Sequence, residues 1–395
     1  MADVKFNDNK FARLDKSKFN KETISRPSLT YWQDAWRRLK KNVLSMIGLI
    51  TIIVVLLCSV LGPMFSKYSY SDQRLDFANI PPSFTIHKIG DKYVYVHKEY
   101  RLIEVTEDGK LLNRIKESEK NMMQKYNAFD FYGEKAVVDY SYAAKNKGTD
   151  GKKFALMVGD KEIEPYKTVK NKVYKWGTDS LGRDVMVRVF YGGRISLLIA
   201  FVATLVNALI GVSYGAISGF EGGTTDNIMM RIVDLINTVP LMLYVILLMV
   251  VMGAGLKTMI VALGTVYWVS MARLVRGQVL SLKEQEFILA ARTLGVSKSK
   301  IIFKHLIPNA MGPIVVSMTM LIPSAIFTEA FLSFVGLGIP APEASWGTLA
   351  SDALTTLRTY GYQLLYPSLA ICITMFAFNF LGDGLRDALD PRLRK

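Results

Sequence analysis

The chain has 395 residues, of which 50% are hydrophobic and only 21% charged, with a mean hydropathy of +0.22. Its apolar runs approach the ~20 residues that a bilayer-crossing helix needs, which excludes an ordinary soluble protein and makes this an integral membrane protein. The net charge of +15 does not indicate nucleic acid, because no nucleic-acid motif is present and much of the excess flanks apolar spans, where cytoplasmic Lys and Arg set topology. Two cysteines, Cys58 and Cys372, fall inside apolar spans and read as packing residues. His87, His97 and His305 are scattered, so neither a metal site nor a catalytic constellation is expected. There is no G-x-x-x-x-G-K-[ST] phosphate loop, so the chain is expected to bind no cofactor and no ATP by that route.

Residues 1–42 form a basic cytoplasmic segment with 11 Lys and Arg against 5 Asp and Glu. Arg37, Arg38, Lys40 and Lys41 abut the first span, while Trp32 and Trp36 suit an interfacial helix. The apolar segment starts too late and runs too long for a cleavable signal peptide. Residues 43–65 are the first span, uncharged and exiting to the outside. Residues 66–176 differ in kind: they are rich in Lys, Glu, Asp and Tyr and lack a run that could cross a bilayer. Alternating stretches at 92–97 and 101–106, with turns at Gly90-Asp91 and Asp108-Gly109, predict β-hairpins. An amphipathic helix is expected over 112–126 and strands over 154–158 and 169–176. The whole reads as a small β-rich extracytoplasmic domain.

Residues 176–196, WGTDSLGRDVMVRVFYGGRIS, form a Gly-punctuated, charge-dense approach to the second span, 195–220. Gly211, Gly215 and Gly219 make a helix-packing stripe in that span. A cytoplasmic turn over 221–234 (EGGTTDNIMMRIVD) leads to a third span, 235–255, which Pro240 kinks or opens, and a fourth, 258–275. Ser281 and Glu284 read as a capping box that starts a short helix, with Gly295 as its stop. A second short helix fits 298–307, stopped or kinked at Pro308. Between Arg273 and Pro308 seven Lys and Arg face two Glu, which places this stretch in the cytoplasm. Residues 311–337 are the fifth span and carry Glu329, a carboxylate that must face protein or a water-filled cavity and so marks a candidate for a translocation pathway. An outer segment, 339–364, holds Trp346 in a short re-entrant or interfacial helix, and 363–383 is the sixth span.

The stretch at 176–196 resembles the G-T-D-x-x-G-R-D-V signature of C-type permease subunits of oligopeptide and dipeptide ABC importers. GGTTDNIMMRIVD, LSFVGLG…SWG and the ending GDGLRDALDPR resemble further motifs of that family, in its order. The run Ala290-Ala291, Gly295, Ile307-Pro308 resembles its "EAA" coupling loop, with Leu289 at the position usually held by Glu and Glu286 one turn earlier. The resemblance implies an all-α polytopic membrane protein with six transmembrane helices of the type I importer permease fold, plus the β-rich domain between helices 1 and 2. It divides residues 177–383 into a five-helix permease core with the coupling loop at 277–310, followed by a cytoplasmic tail at 384–395. It implies a second homologous permease, two ATP-binding cassette ATPases that use ATP and Mg, and an extracellular peptide-binding lipoprotein as partners, in a lipid membrane and without enzymatic activity in this chain. Other substrates open at this level are dipeptides, nickel chelates and glutathione; a different class is an ATP-independent channel or ion-coupled transporter. The enlarged outer domain and high Lys content point to a Gram-positive cell membrane, with both termini cytoplasmic.

Overall fold

The structure, a computed structural model, describes residues 30–145 and 151–390. The basic residues from Lys5 to Arg26 and the terminal Pro391 and Arg392 lie outside the described residues. Helix α1 (Tyr31–Lys41) starts at a capping box in which Thr30 and Gln33 bond each other's backbone. Its inner face, Ala35 and Leu39, is buried, and Trp32 and Trp36 are exposed. Asn42 ends α1 and caps α2 (Val43–Leu61) by accepting from Ser45 N at 3.2 Å. A 3-10 turn, Gly62–Phe65, finishes this first span.

The domain that follows the first span is a sandwich of two five-stranded antiparallel sheets. One holds β1 (Ser83–Ile89), β2 (Lys92–Val96), β3 (Leu102–Val105), β4 (Leu111–Ile115) and β10 (Pro165–Lys170), in the order β10-β1-β2-β3-β4. The other runs in sequence order through β5 (Glu117–Asn121), β6 (Tyr126–Phe131), β7 (Glu134–Asp139), β8 (Ala155–Val158) and β9 (Lys161–Glu162), with a short helix α3 (Tyr142–Lys145) between β7 and β8. Val94, Val96 and Leu102 meet Phe129, Phe131 and Val138 in the core between the sheets. The helix expected over 112–126 is absent: those residues form β4 and β5, because pairing with β3 and β6 outweighs the local helix preference of Glu and Lys. The strand expected over 169–176 ends at Lys170, where Asn171 Oδ1 accepts from Val173 N and Tyr174 N and turns the chain.

The base of this domain is joined to the bundle by a buried polar network. Tyr362 Oη donates to Ile80 O (3.0 Å) and Thr178 O (2.6 Å), and Gln363 Nε2 donates to Asn79 Oδ1 (2.9 Å). Lys98 Nζ reaches Thr359 O at 2.6 Å.

The bundle comprises α4 (Val185–Glu221), α5 (Gly223–Thr238), α6 (Leu241–Met252) and α7 (Leu256–Leu282), then α8 (Glu286–Thr293) and α9 (Lys298–Lys300). From α9 the chain runs through π-helical Ile301–Leu306 into α10 (Ile307–Leu332), followed by α11 (Trp346–Leu354) and α12 (Tyr362–Leu389). Five helices are long and apolar enough to cross a membrane, or six if α5 and α6, bent by 83°, form one broken span. The expected turn at 221–234 is thus corrected to a helix, and the span expected over 235–255 is broken at Pro240 into the end of α5 and α6. Pro240 has no N–H to continue α5, Val239 before it is extended (ψ 119°), and α6 restarts after it.

The capping box expected at Ser281 is also corrected. Helix α7 runs through Ser281 to Leu282, because Val275, Val279 and Leu282 keep facing the core at helical spacing. Nor does Pro308 stop a helix: Lys298–Leu337 is a single 40-residue run. The π-helical segment just upstream absorbs the bond that Pro308 cannot donate.

Candidate coupling site

Helix α8 stands between two turns on one face of the bundle. Its C-terminal stop is a Schellman motif: Val296 N donates to Ala291 O (3.1 Å) and Gly295 N to Arg292 O (3.0 Å). Gly295 has φ +73°, a left-handed conformation that a side chain resists, although open space surrounds it. Ile288 and Ala291 are buried and pack with Phe220, Val275, Val279, Ile301, Ile302 and Leu306. Around the rest of α8 and its C-cap, Phe287, Leu289 and Leu294, the last 83% exposed, lie open beside the polar Glu286, Arg292 and Thr293. The helix is thus seated on one face in its own bundle and leaves three large apolar side chains exposed around the rest.

Neighbouring contacts brace this seat. Arg292 lies over the Phe220 ring at 4.9 Å, Lys298 pairs with Glu221 at 2.8 Å, and Lys283 Nζ donates to Gly219 O at 3.0 Å. Arg276 grips Asp226 with both nitrogens at 2.6 Å, while Ser218 Oγ donates to the same carboxylate at 2.5 Å. Arg273 holds Asp234 at 2.8 Å. These pairs tie α5 to α7. The two aspartates belong to GGTTDNIMMRIVD, and the two arginines read in sequence only as topology charges; nothing local says that they meet. Gly211, Gly215 and Gly219 lie against α7, where an added Cβ would approach Trp268 O (2.7 Å), the Ala272 carbonyl and Arg276 O (2.9 Å).

The structure distributes the residues of the loop unevenly. Glu286, Leu289, Ala290, Gly295 and Pro308 are exposed, and Ile307 is half-buried against the core. Ala291 turns inward, whereas Ala290 beside it is exposed. One helical step of about 100° separates adjacent side chains and sends Ala290 and Ala291 to different faces.

At the end of the bundle that meets the sandwich, the GTDSLGRD stretch is a structural joint. Asp179 accepts from Leu181 N and Arg183 N, both at 2.9 Å, from Arg183 Nε at 2.7 Å, and from the Arg188 guanidinium. Thr178 Oγ1 accepts from Ile80 N (2.8 Å) and donates to Phe77 O (2.5 Å). Asp184 caps α4 through Met186 N, and burial pushes its carboxyl up to about 6. Glu329 has no exposed surface; Ser196, Ser333 and Ser345 bond its carboxylate. Of protein and water-filled cavity, it faces protein. Among the described residues no cluster of His, Cys, Asp and Glu could hold a metal ion.

Several apolar crossings around a helix presented at one membrane face define a multi-pass membrane permease. The chain belongs to the oligopeptide and dipeptide permease family of binding-protein-dependent ABC transporters. Residues 211–395 match the family model of the binding-protein-dependent transport system inner membrane component, and residues 30–82 that of the N-terminal TM domain of oligopeptide transport permease C. The chain is 43% identical to the oligopeptide transport system permease protein OppC of Bacillus subtilis, across 95% of this chain and 94% of that protein. It is 40% identical to the dipeptide transport system permease protein DppC of the same organism, across 95% and 90%. An inward-facing structure of the MetNI methionine ABC transporter matches 52% of this chain and 96% of one of its own, at 19% identity and a TM-score of 0.42.

Proposed function

We propose that this chain is the membrane-spanning subunit of an ATP-driven importer of oligopeptides. The observation that carries the reading is α8, buried on its Ile288 and Ala291 face while Phe287, Leu289 and Leu294 stay exposed. On this reading, α8 sits in a groove of a partner ATPase, which binds ATP and Mg, while this chain binds neither. A second permease covers the bent pair α5 and α6, where Leu235, Val250 and Val251 are 68–82% exposed and only Val245 of α6 is buried. A lipoprotein delivers peptide from outside, and the β-sandwich steadies it or restricts the outer mouth. On this reading both termini and α8 lie in the cytoplasm, which the basic residues beside them in the sequence support. The near full-length match to the Bacillus subtilis proteins supports a Gram-positive membrane. Dipeptides are the second substrate reading, supported by the similarity to a dipeptide permease.

The test is purification from native membranes followed by reconstitution. Two ATPases and a second permease should accompany the chain, and the liposomes should take up labelled oligopeptide only with ATP and binding protein. A chain that purifies alone and conducts ions without ATP would replace this reading with that of a channel.

A further inference from the structure

Helix α10 begins at the coupling site and ends at the outer side of the bundle, as part of one continuous 40-residue run. Its cytoplasmic approach, Ile301, Ile302 and Leu306, packs on Ile288 and Ala291 of α8. Its outer third carries Glu329, which is 0% exposed. Glu329 Oε2 accepts from Ser196 Oγ of α4 at 3.0 Å, and Oε1 accepts from Ser333 Oγ at 2.9 Å and from Ser345 Oγ at 2.5 Å. Ser345 is also the N-cap of α11. Ser196 Oγ in turn accepts from Trp346 N at 3.1 Å, and Trp346 Nε1 donates to Val189 O of α4 at 2.8 Å. The indole is buried among α4, α10 and α12. The packing leaves no slack: a Cβ on Gly347 would lie 2.5 Å from Ala330 Cα.

We propose that Glu329 is a positioning residue for transport, one that ties the outer end of the helix driven by the coupling loop to α4 and to the Trp346 plug of α11. This rests on the importer reading above. A carboxylate accepts from several directions and needs to donate nothing, so one side chain collects three hydroxyls. Shifting α10 alone would strand the carboxylate and its donors in a buried site, which is costly. Moving α4, α10 and α11 together keeps every bond. Glu329 therefore acts as an internal tie and does not touch peptide.

The test uses the complete importer in proteoliposomes, with peptide uptake and ATP hydrolysis followed together. Glu329→Ala and Ser345→Ala should lower uptake per ATP by roughly tenfold while hydrolysis continues, the size expected for losing hydrogen bonds to a buried charged group. Glu329→Gln should stay within about twofold of wild type, because its amide oxygen still accepts and its nitrogen can donate to Ser196. An unchanged ratio in both alanine variants overturns the proposal, as does a glutamine variant no better than alanine. Should Glu329→Ala fail to assemble, Ser345→Ala decides, since it leaves the carboxylate in place and removes the arm to α11 together with the cap bond from Thr348 N. If the wild type moves no peptide, the importer reading fails. The tie is then read from a spin label at Leu354, 40% exposed on α11, with Cys58 and Cys372 replaced. Trapping nucleotide in the assembled complex should shift the wild-type label and not the Ser345→Ala label. A label still in the wild type, or moving alike in both, overturns the tie.

Discussion

Ala291 in α8 and Leu294 at its C-cap have opposite surroundings, and this sets two substitutions apart. Ala291 is 8% exposed and Leu294 is 83% exposed. Ala291→Asp places a carboxylate among Phe220, Val279 and Ile302 without a partner, so several kcal/mol of stability should be lost. The amount of folded chain in the membrane should drop. Leu294→Asp meets only the surroundings and should leave the melting temperature of the detergent-purified chain within a few degrees, yet abolish uptake. Equal destabilisation by both would mean that α8 has no free face. Sequence inspection placed a short helix with a Gly295 stop in this stretch but could not assign faces to its residues. The EAA resemblance names Ala290 and Ala291 together, whereas the face each takes depends on where α7 ends, three residues before α8 begins.

The joint between sandwich and bundle responds to acid. His97 is buried, with Nε2 on Asn79 O at 3.0 Å and Nδ1 accepting from Glu99 N at 3.1 Å. A neutral ring satisfies both bonds, and burial lowers its pKa to about 4. Burial lowers that of His87 to about 4 as well. Both folded values lie below the unfolded one of about 6.5, so the unfolded chain takes up protons first. The stabilisation is complete above pH 6.5 and is lost progressively as the pH falls towards 4. Amide protection in β1 and β2 of the full-length chain, corrected for intrinsic exchange, should therefore be lower at pH 5 than at pH 7. Equal protection would show that other groups dominate. Element type was legible where the pattern was strong, as at β2 and β3. It failed at β4 and β5, whose identity comes from partners in space, and at α5, where a helix lies in residues that read as a turn.

For the molecule as a whole, orientation decides whether the parts can work together. Single cysteines introduced at Lys120 in β5 and at Glu286 in α8, with Cys58 and Cys372 replaced, should react with a membrane-impermeant reagent from opposite sides. In intact cells Lys120→Cys should label and Glu286→Cys should not; permeabilised cells should label both. Labelling of Glu286→Cys in intact cells would invert the topology and remove the ATPase from reach.

The sequence by itself determined the membrane class, the approximate place of the apolar spans, the existence of a β-rich domain between the first two of them and the family. These follow from hydropathy, charge placement and contiguous motifs, which are local properties of the chain. Tertiary structure alone decided which residues meet. It joined Asp226 to Arg276 across 50 positions and Ser196 to Glu329 across 133. It also made Ser281 part of α7, carried α10 past Pro308 and turned Ala291 inward. The physical reason is that a buried charge or hydroxyl must find a partner wherever the fold supplies one, and that packing on a neighbouring helix outweighs a local stop signal.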